Sequence, residues 1–190
     1  HEDGVEVRRY ELWRMHGRGW LRKPLARSPN RNGQALTLPC NPIGGRMWAD
    51  AGRSSERFDV VHATAFPYAF PIACARRLAR RLEAPFLLTP FLHLGDPDDP
   101  ADRTRRAYTQ PALMELAHSA DRLFVQTDGE RLALLERGVP PERLVLQGMG
   151  LDRDSCTGGD RERARAAWRV GKEDVVIGHL ANNSREKGSV

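Results

Sequence analysis

Two histidines and a lysine stand where side-chain chemistry is most economical. His62 closes a short apolar run, Asp59-Val60-Val61-His62, and His93 follows a second one, Pro85-Phe86-Leu87-Leu88-Thr89, across a Pro-Phe-Leu step. An imidazole beyond a strand end can donate or accept a proton towards a bound molecule. Lys187-Gly188 follows the apolar stretch Asp174–Leu180 through His179 and the polar run Ala181-Asn182-Asn183-Ser184-Arg185-Glu186. A strand, a polar loop and a helix start carrying a lysine together make an anion site, because the first N–H groups of a helix and an ammonium all point positive charge at the ligand. Lysine is otherwise present only at Lys23 and Lys172, in a chain whose other basic residues are arginines, so its appearance at 187 is selective. Thr127, three residues before Glu130, has the capping-box spacing and also sits just past an apolar run, Arg122–Gln126. Asp96, Asp98 and Asp99 look like a cation cluster, but the prolines among them, Pro97 and Pro100, mark an ordinary solvated loop, and no metal is assigned there. Cys40, Cys74 and Cys156 are odd in number and form no C-x-x-C pair, which suits unpaired thiols in a reducing cytoplasm rather than a disulfide frame or a zinc site.

The elements that position these residues are legible from Phe58 onwards. Strands are expected at Phe58–Ala63, Pro85–Thr89, Arg122–Gln126, Arg143–Gln147 and Asp174–Leu180. Between them Ala75, Leu78, Ala79 and Leu82, and then Leu113, Leu116, Ala117 and Ala120, recur at helical spacing. A helix opening at Thr127 stops at Gly138 before Pro140 and Pro141, and Ala164, Ala167 and Trp168 mark another short one. Pro90–Asp102 and Gly148–Asp160 read as loops. Gly4–Leu12 reads as a strand, and 18–57 reads as irregular with one short helix. Continuous apolar strands alternating with helices predict an α/β fold, a Rossmann-like parallel sheet with helices on both faces. Such sheets bind ligands at the carboxyl ends of their strands. The segments to watch are therefore His62–Phe66, Pro90–Gly95, Thr127, Gly148–Asp152 and His179–Gly188.

Composition narrows the field. The chain has 190 residues, 40% hydrophobic and 29% charged, as an ordinary globular α/β protein does. No apolar run is long enough to span a membrane and none resembles a signal peptide. The net charge of +5 comes from arginines spread among acidic residues without aromatic interleaving, so no nucleic-acid partner is expected. Arg76, Arg77, Arg80 and Arg81 share one helical face, a surface for peripheral contact with an anionic membrane or simply a solvated face.

The order of these motifs resembles glycosyltransferase family 4. That family shows a D-V-V-H strand, a T-x-H-like turn, an A-D strand leading to T, a G-V-P turn, an N-G-I-D-like hinge and a G-R-L…K-G loop. Here they stand as Asp59–His62, Thr89–His93, Ala120-Asp121 through Thr127, Gly138–Pro140, Met149–Asp152 and Gly178-His179-Leu180 through Lys187-Gly188. Met149 replaces the usual Asn, His179 replaces the usual Arg, and the turn after Thr89 is two residues longer, which implies a divergent donor or acceptor preference.

The resemblance implies a GT-B fold of two Rossmann-like domains and transfer from a nucleotide sugar with retention at the anomeric carbon. The nucleotide sugar is a co-substrate, and no cofactor or metal is expected. Residues 1–150 would form the acceptor-side domain, 151–173 a linker with a short helix and hinge, and 174–190 the start of the donor-binding domain. His93 is then the catalytic-centre residue. Lys187, Arg185, Asn182, Asn183 and His179 are donor-phosphate ligands, and His62 and Thr127 are acceptor contacts. The acceptor is a saccharide, a lipid or a small molecule. A first strand with its Gly-rich turn is expected ahead of His1 and a carboxylate motif beyond Val190, so this portion alone is expected to be inactive. A binding module that has lost catalysis, and an enzyme that isomerises or hydrolyses nucleotide sugars, are the competing readings.

Overall fold

The computed structural model describes residues 4–13, 16–17, 20, 24–25, 29–36 and 41–180. The chain divides into two compact units, His1–Gly148 and Met149–Val190.

In the first unit, α1 (Arg31–Leu36) and α2 (Gly45–Arg53) precede β1 (Val61–Thr64), α3 (Ala69–Leu82) and β2 (Phe86–Thr89). Then come α4 (Thr104–Tyr108), α5 (Pro111–His118), β3 (Arg122–Val125), α6 (Asp128–Leu135), a 3-10 turn (Pro141–Arg143) and β4 (Leu144–Leu146). The strands form one sheet in the order β1-β2-β3-β4, every neighbouring pair parallel. This is the expected α/β class with a Rossmann-like parallel sheet. Successive parallel strands laid down in one direction through right-handed crossovers carry their connecting helices on one face. Burial agrees: Val61, Ala63, Phe86, Leu88, Leu123 and Val125 are buried in a core with Ile72, Ala79, Leu113, Leu116 and Leu134 of the helices. Among the described residues the opposite face, with His62, Leu87, Phe124 and Val145, is less covered.

Each helix has a local cause. Pro111 opens α5 at a position whose N–H would have no partner anyway. Thr127 caps α6, its Oγ1 accepting the Glu130 N–H. Gly138, at φ +79, takes the left-handed turn that lets the chain leave α6. The amino end of α3 has no cap on Tyr68 and is completed instead by buried Asn41, whose Oδ1 accepts the Phe70 N–H at 2.9 Å. Around that point Ile43, Ala51, Phe70 and Cys74 form a second small cluster. Burial beside it raises the Cys74 thiol to about 12.

Four expectations need correction. The strand expected over Phe58–Ala63 begins at Val61, because β2 begins opposite it at Phe86 and Pro85 has no N–H with which to extend the ladder. In Gly4–Leu12 only Val5 makes a β-bridge; Trp13 N–H instead donates to Ile43 O at 2.7 Å, fastening this segment to the start of α2. The described part of 18–57 holds both α1 and α2, more than the one short helix expected. Asp174–Leu180 is not a strand: no strand among the described residues runs beside it, and Val175 and Ile177 are 88% and 90% exposed.

The second unit contains α7 (Arg153–Cys156), inside a stretch expected to be all loop, and α8 (Arg161–Trp168). Asp152 and Asp160 cap them, accepting the N–H groups of Asp154 and Arg163. Hydrogen bonds from the Ser155 hydroxyl and the adjacent backbone lower the Asp152 carboxyl below its usual range. Arg165 closes α8 onto the following turn by donating to Asp174 O at 2.8 Å and to Gly171 O.

At the amino end of the sheet, Asp121 joins β3 to β2 twice. Its N–H donates to Phe86 O at 2.8 Å, and its carboxylate accepts the Phe86 N–H at 2.7 Å. The aspartate of the A-D motif thus acts on the sheet register, at the end away from the ligand-binding edge. Asp121→Ala is expected to cost about 1–3 kcal/mol, the worth of a backbone N–H left without its charged acceptor. A melting temperature unchanged from wild type would contradict this.

Candidate functional site

The carboxyl ends of the four strands, Thr64, Thr89, Val125 and Leu146, define the edge at which a parallel sheet of this kind takes its ligands. The loops beyond β1 and β2 are tied together there, the Phe66 N–H donating to Pro90 O at 2.8 Å.

His62 lies inside β1, with Leu87 as its register partner, and not at the strand end where the sequence placed it. Its side chain leans along the strand towards the carboxyl edge. There Nε2 shares a 2.8 Å hydrogen bond with Thr89 Oγ1, and the ring lies 5.8 Å from that of Phe124. Since Thr89 pairs with Thr64, two residues further along, this one bond couples two rungs of the sheet.

His93 stands beyond β2, exposed, in the loop that follows Pro90. Its ring packs against Tyr108 at the end of α4, with centroids 5.0 Å apart and planes tilted by 48°. Ahead of it, Phe91 takes φ +49, a left-handed conformation that a bulky side chain adopts only when its surroundings impose it.

Glu130 stands on the first turn of α6. It is only 6% exposed. The capping box expected from Thr127 and Glu130 forms in its first half, but the Glu130 carboxylate does not return to Thr127. It accepts the Gln126 N–H at 2.9 Å. The carboxylate therefore closes the turn that leads from β3 into α6. Burial raises its carboxyl above the usual range, against the opposing pull of the Gln126 and Leu92 N–H groups and of nearby His93. The only trace in sequence was its spacing from Thr127, which explains a helix start.

Thr127 is exposed beside this junction, its oxygen engaged as the cap. Asp96, Asp99 and Asp102 of the Pro90–Asp102 loop are turned to the nearby backbone. Asp96 accepts from Asp98 N–H, Asp99 from Ala101 N–H, and Asp102 from the N–H groups of Asp96 and Thr104. Of the arginine face, Arg76 pairs with Glu115 at 3.4 Å and Arg77 lies 4.5 Å over the ring of Trp48, while Arg80 and Arg81 are exposed. No helix among the described residues is long and apolar enough to cross a membrane. His179 is exposed in the second unit. Asn182, Asn183, Arg185 and Lys187 lie outside the described residues.

The structure thus brings His93, Thr127 and, through Thr89, His62 to one edge of one sheet. It adds Glu130 and Tyr108, which sequence reading did not select. A family model described as the glycosyl transferase 4-like domain matches residues 1–150, the part of the chain that carries the whole sheet. No curated protein and no solved structure matches the chain.

Proposed function

This chain belongs to the glycosyl transferase 4-like domain family, and on that premise we propose that it moves a sugar from a nucleotide sugar to an acceptor hydroxyl with retention at the anomeric carbon. In this step the bond from the anomeric carbon to the diphosphate oxygen breaks. The acceptor oxygen takes its place on the same face, and the hydroxyl proton passes to the departing diphosphate or to solvent.

Two demands follow from that chemistry: the departing diphosphate must be stabilised and the acceptor must be held close to the anomeric carbon. Lys187, with Arg185, Asn182, Asn183 and His179, serves the first in this reading, at the start of a donor-binding domain over 174–190. His93 serves the second by hydrogen bonding beside the reacting carbon. Thr127 and His62 line the acceptor side, His62 chiefly by holding Thr89. Arg80 and Arg81 offer charge to an anionic membrane surface if the acceptor is a lipid. The observation that carries the reading is the family match over the unit whose strand ends carry His93.

The test is nucleotide release by the full-length protein from a panel of uridine and guanosine diphosphate sugars, with and without saccharide and lipid acceptors. Acceptor-dependent release is expected, reduced at least about tenfold by His93→Ala, the loss that follows when one positioning contact at a reacting centre goes. Donor consumed equally without acceptor would point to isomerisation or hydrolysis, and donor bound without turnover to a binding module.

A further inference from the structure

We propose that Tyr108 is a positioning residue for His93, its ring serving as the wall that sets the direction of the imidazole beyond the carboxyl edge of the sheet. The inference rests on the reading of His93 as the group beside the reacting carbon.

The two rings come from opposite ends of one excursion of the chain. His93 leaves β2 by way of Pro90, and Tyr108 ends α4, on the far side of the turn at Asp96–Asp102. Asp102 closes this excursion on itself, its carboxylate accepting the N–H of Asp96 at 2.8 Å and that of Thr104 at 2.6 Å. The imidazole and the phenol ring then meet with centroids 5.0 Å apart, within the range in which tilted aromatic rings attract.

The two partners are not equally anchored. On either side of His93, Leu92 and Leu94 pack into the core cluster, while His93 itself is exposed. Its backbone is therefore held, and its ring is restrained where Tyr108 stands. Tyr108 is partly buried against the same core cluster. The next residue, Thr109, is buried and returns two hydrogen bonds to Arg105 O, from its N–H at 3.0 Å and its hydroxyl at 2.8 Å. The tyrosine ring is the fixed member of the pair, and the imidazole is the one directed.

The kind of contact matters as much as its place. His62 and His118 each commit Nε2 to a hydrogen bond, with Thr89 Oγ1 and with Arg137 O. Tyr108 holds His93 through the ring instead, which leaves the imidazole nitrogens for a substrate hydroxyl or oxygen.

Tyr108→Leu keeps an apolar side chain on α4 and removes the ring, whereas Tyr108→Phe keeps the ring. Both are made in the full-length protein, alone and together with His93→Ala, and nucleotide release is followed well below the melting transition. An aromatic pair favours one ring position by a factor of about two to ten. Tyr108→Leu is accordingly expected to lower kcat about three- to tenfold with little change in donor KM, and Tyr108→Phe to recover at least about half of the wild-type value. In the His93→Ala background Tyr108→Leu should change kcat by less than about twofold, because a residue that acts through the imidazole has nothing left to act on. Wild-type kcat in Tyr108→Leu would overturn the proposal. So would an equal loss in both backgrounds, which would make Tyr108 a brace for α4, or a Tyr108→Phe variant as impaired as Tyr108→Leu, which would assign the effect to the hydroxyl. If His93→Ala is itself as active as wild type, the reading of His93 fails, and the positioning role with it. Should Tyr108→Leu not fold, Tyr108→Met takes its place with the same expected losses. In the wild-type protein a nuclear Overhauser contact between the ring protons of His93 and Tyr108 is expected, and its absence would equally overturn the proposal.

Discussion

Lys187→Ala in the full-length protein should fold normally and lose donor-dependent nucleotide release by at least tenfold, and by as much as about 10³. That range is the usual consequence of removing one preorganised positive or hydrogen-bonding group from a centre where negative charge develops. A departing nucleoside diphosphate gains charge as its bond to the sugar breaks, and a helix start with an adjacent ammonium answers that charge better in the transition state than in the ground state. The loss should therefore appear in kcat as well as in KM. Lys172→Ala is the control, because this lysine lies in an exposed turn after α8 and removes the same charge from the same unit. Equal losses in the two variants would mean general electrostatics rather than a diphosphate site. No loss in Lys187→Ala would remove that residue from the donor site altogether.

The second large effect is on stability. Glu130→Ala strips the acceptor from the backbone N–H of Gln126, in a place where water is largely excluded. A donor orphaned in this way costs about 1–3 kcal/mol, and the variant should lose that much. For a chain of this size that lowers the melting temperature by roughly 2–12 °C.

The carboxyl also has a pH signature of definite sign. Its folded-state pKa is raised above the ordinary 4.5, with burial as the largest cause. The folded protein therefore binds the proton more tightly than the unfolded chain does. The resulting stabilisation is complete below about 4.5 and is lost as pH rises through the folded-state value. Comparing wild type with Glu130→Gln by urea unfolding isolates it, since all other groups are shared. The stability difference should move in favour of the glutamine variant as pH is raised from about 4.5 to 7. A difference that stays constant, or moves the other way, would contradict the raised pKa.

These expectations draw on two kinds of information. Everything that depends on neighbours three or four residues apart was readable directly. The helical faces of α3 and α5, the Thr127 cap, the stop at Gly138 and the apolar runs of β2 and β3 follow from side-chain period and backbone preference. So does the α/β class, because apolar strands alternating with amphipathic helices have few ways to bury both. His93 could be placed beyond a strand end for the same reason.

What a strand does depends on its partner, and the partner is remote. The bounds of β1, Val61 and Thr64, were decided by its pairing with Phe86 and Thr89 of β2, and the run on to Thr64 moved His62 from the strand end to its interior. The run Asp174–Leu180 has strand composition but no neighbouring strand among the described residues, so it forms no ladder. Asp121 looked like a family signature and proved to be a clasp between β2 and β3. Glu130 marks the division most sharply. Its position on α6 was set by local sequence, while its burial, which raises its carboxyl, was set by the tertiary fold. Local propensity is encoded by adjacent residues and survives in isolation. The burial of such a carboxylate exists only once distant segments have packed over it.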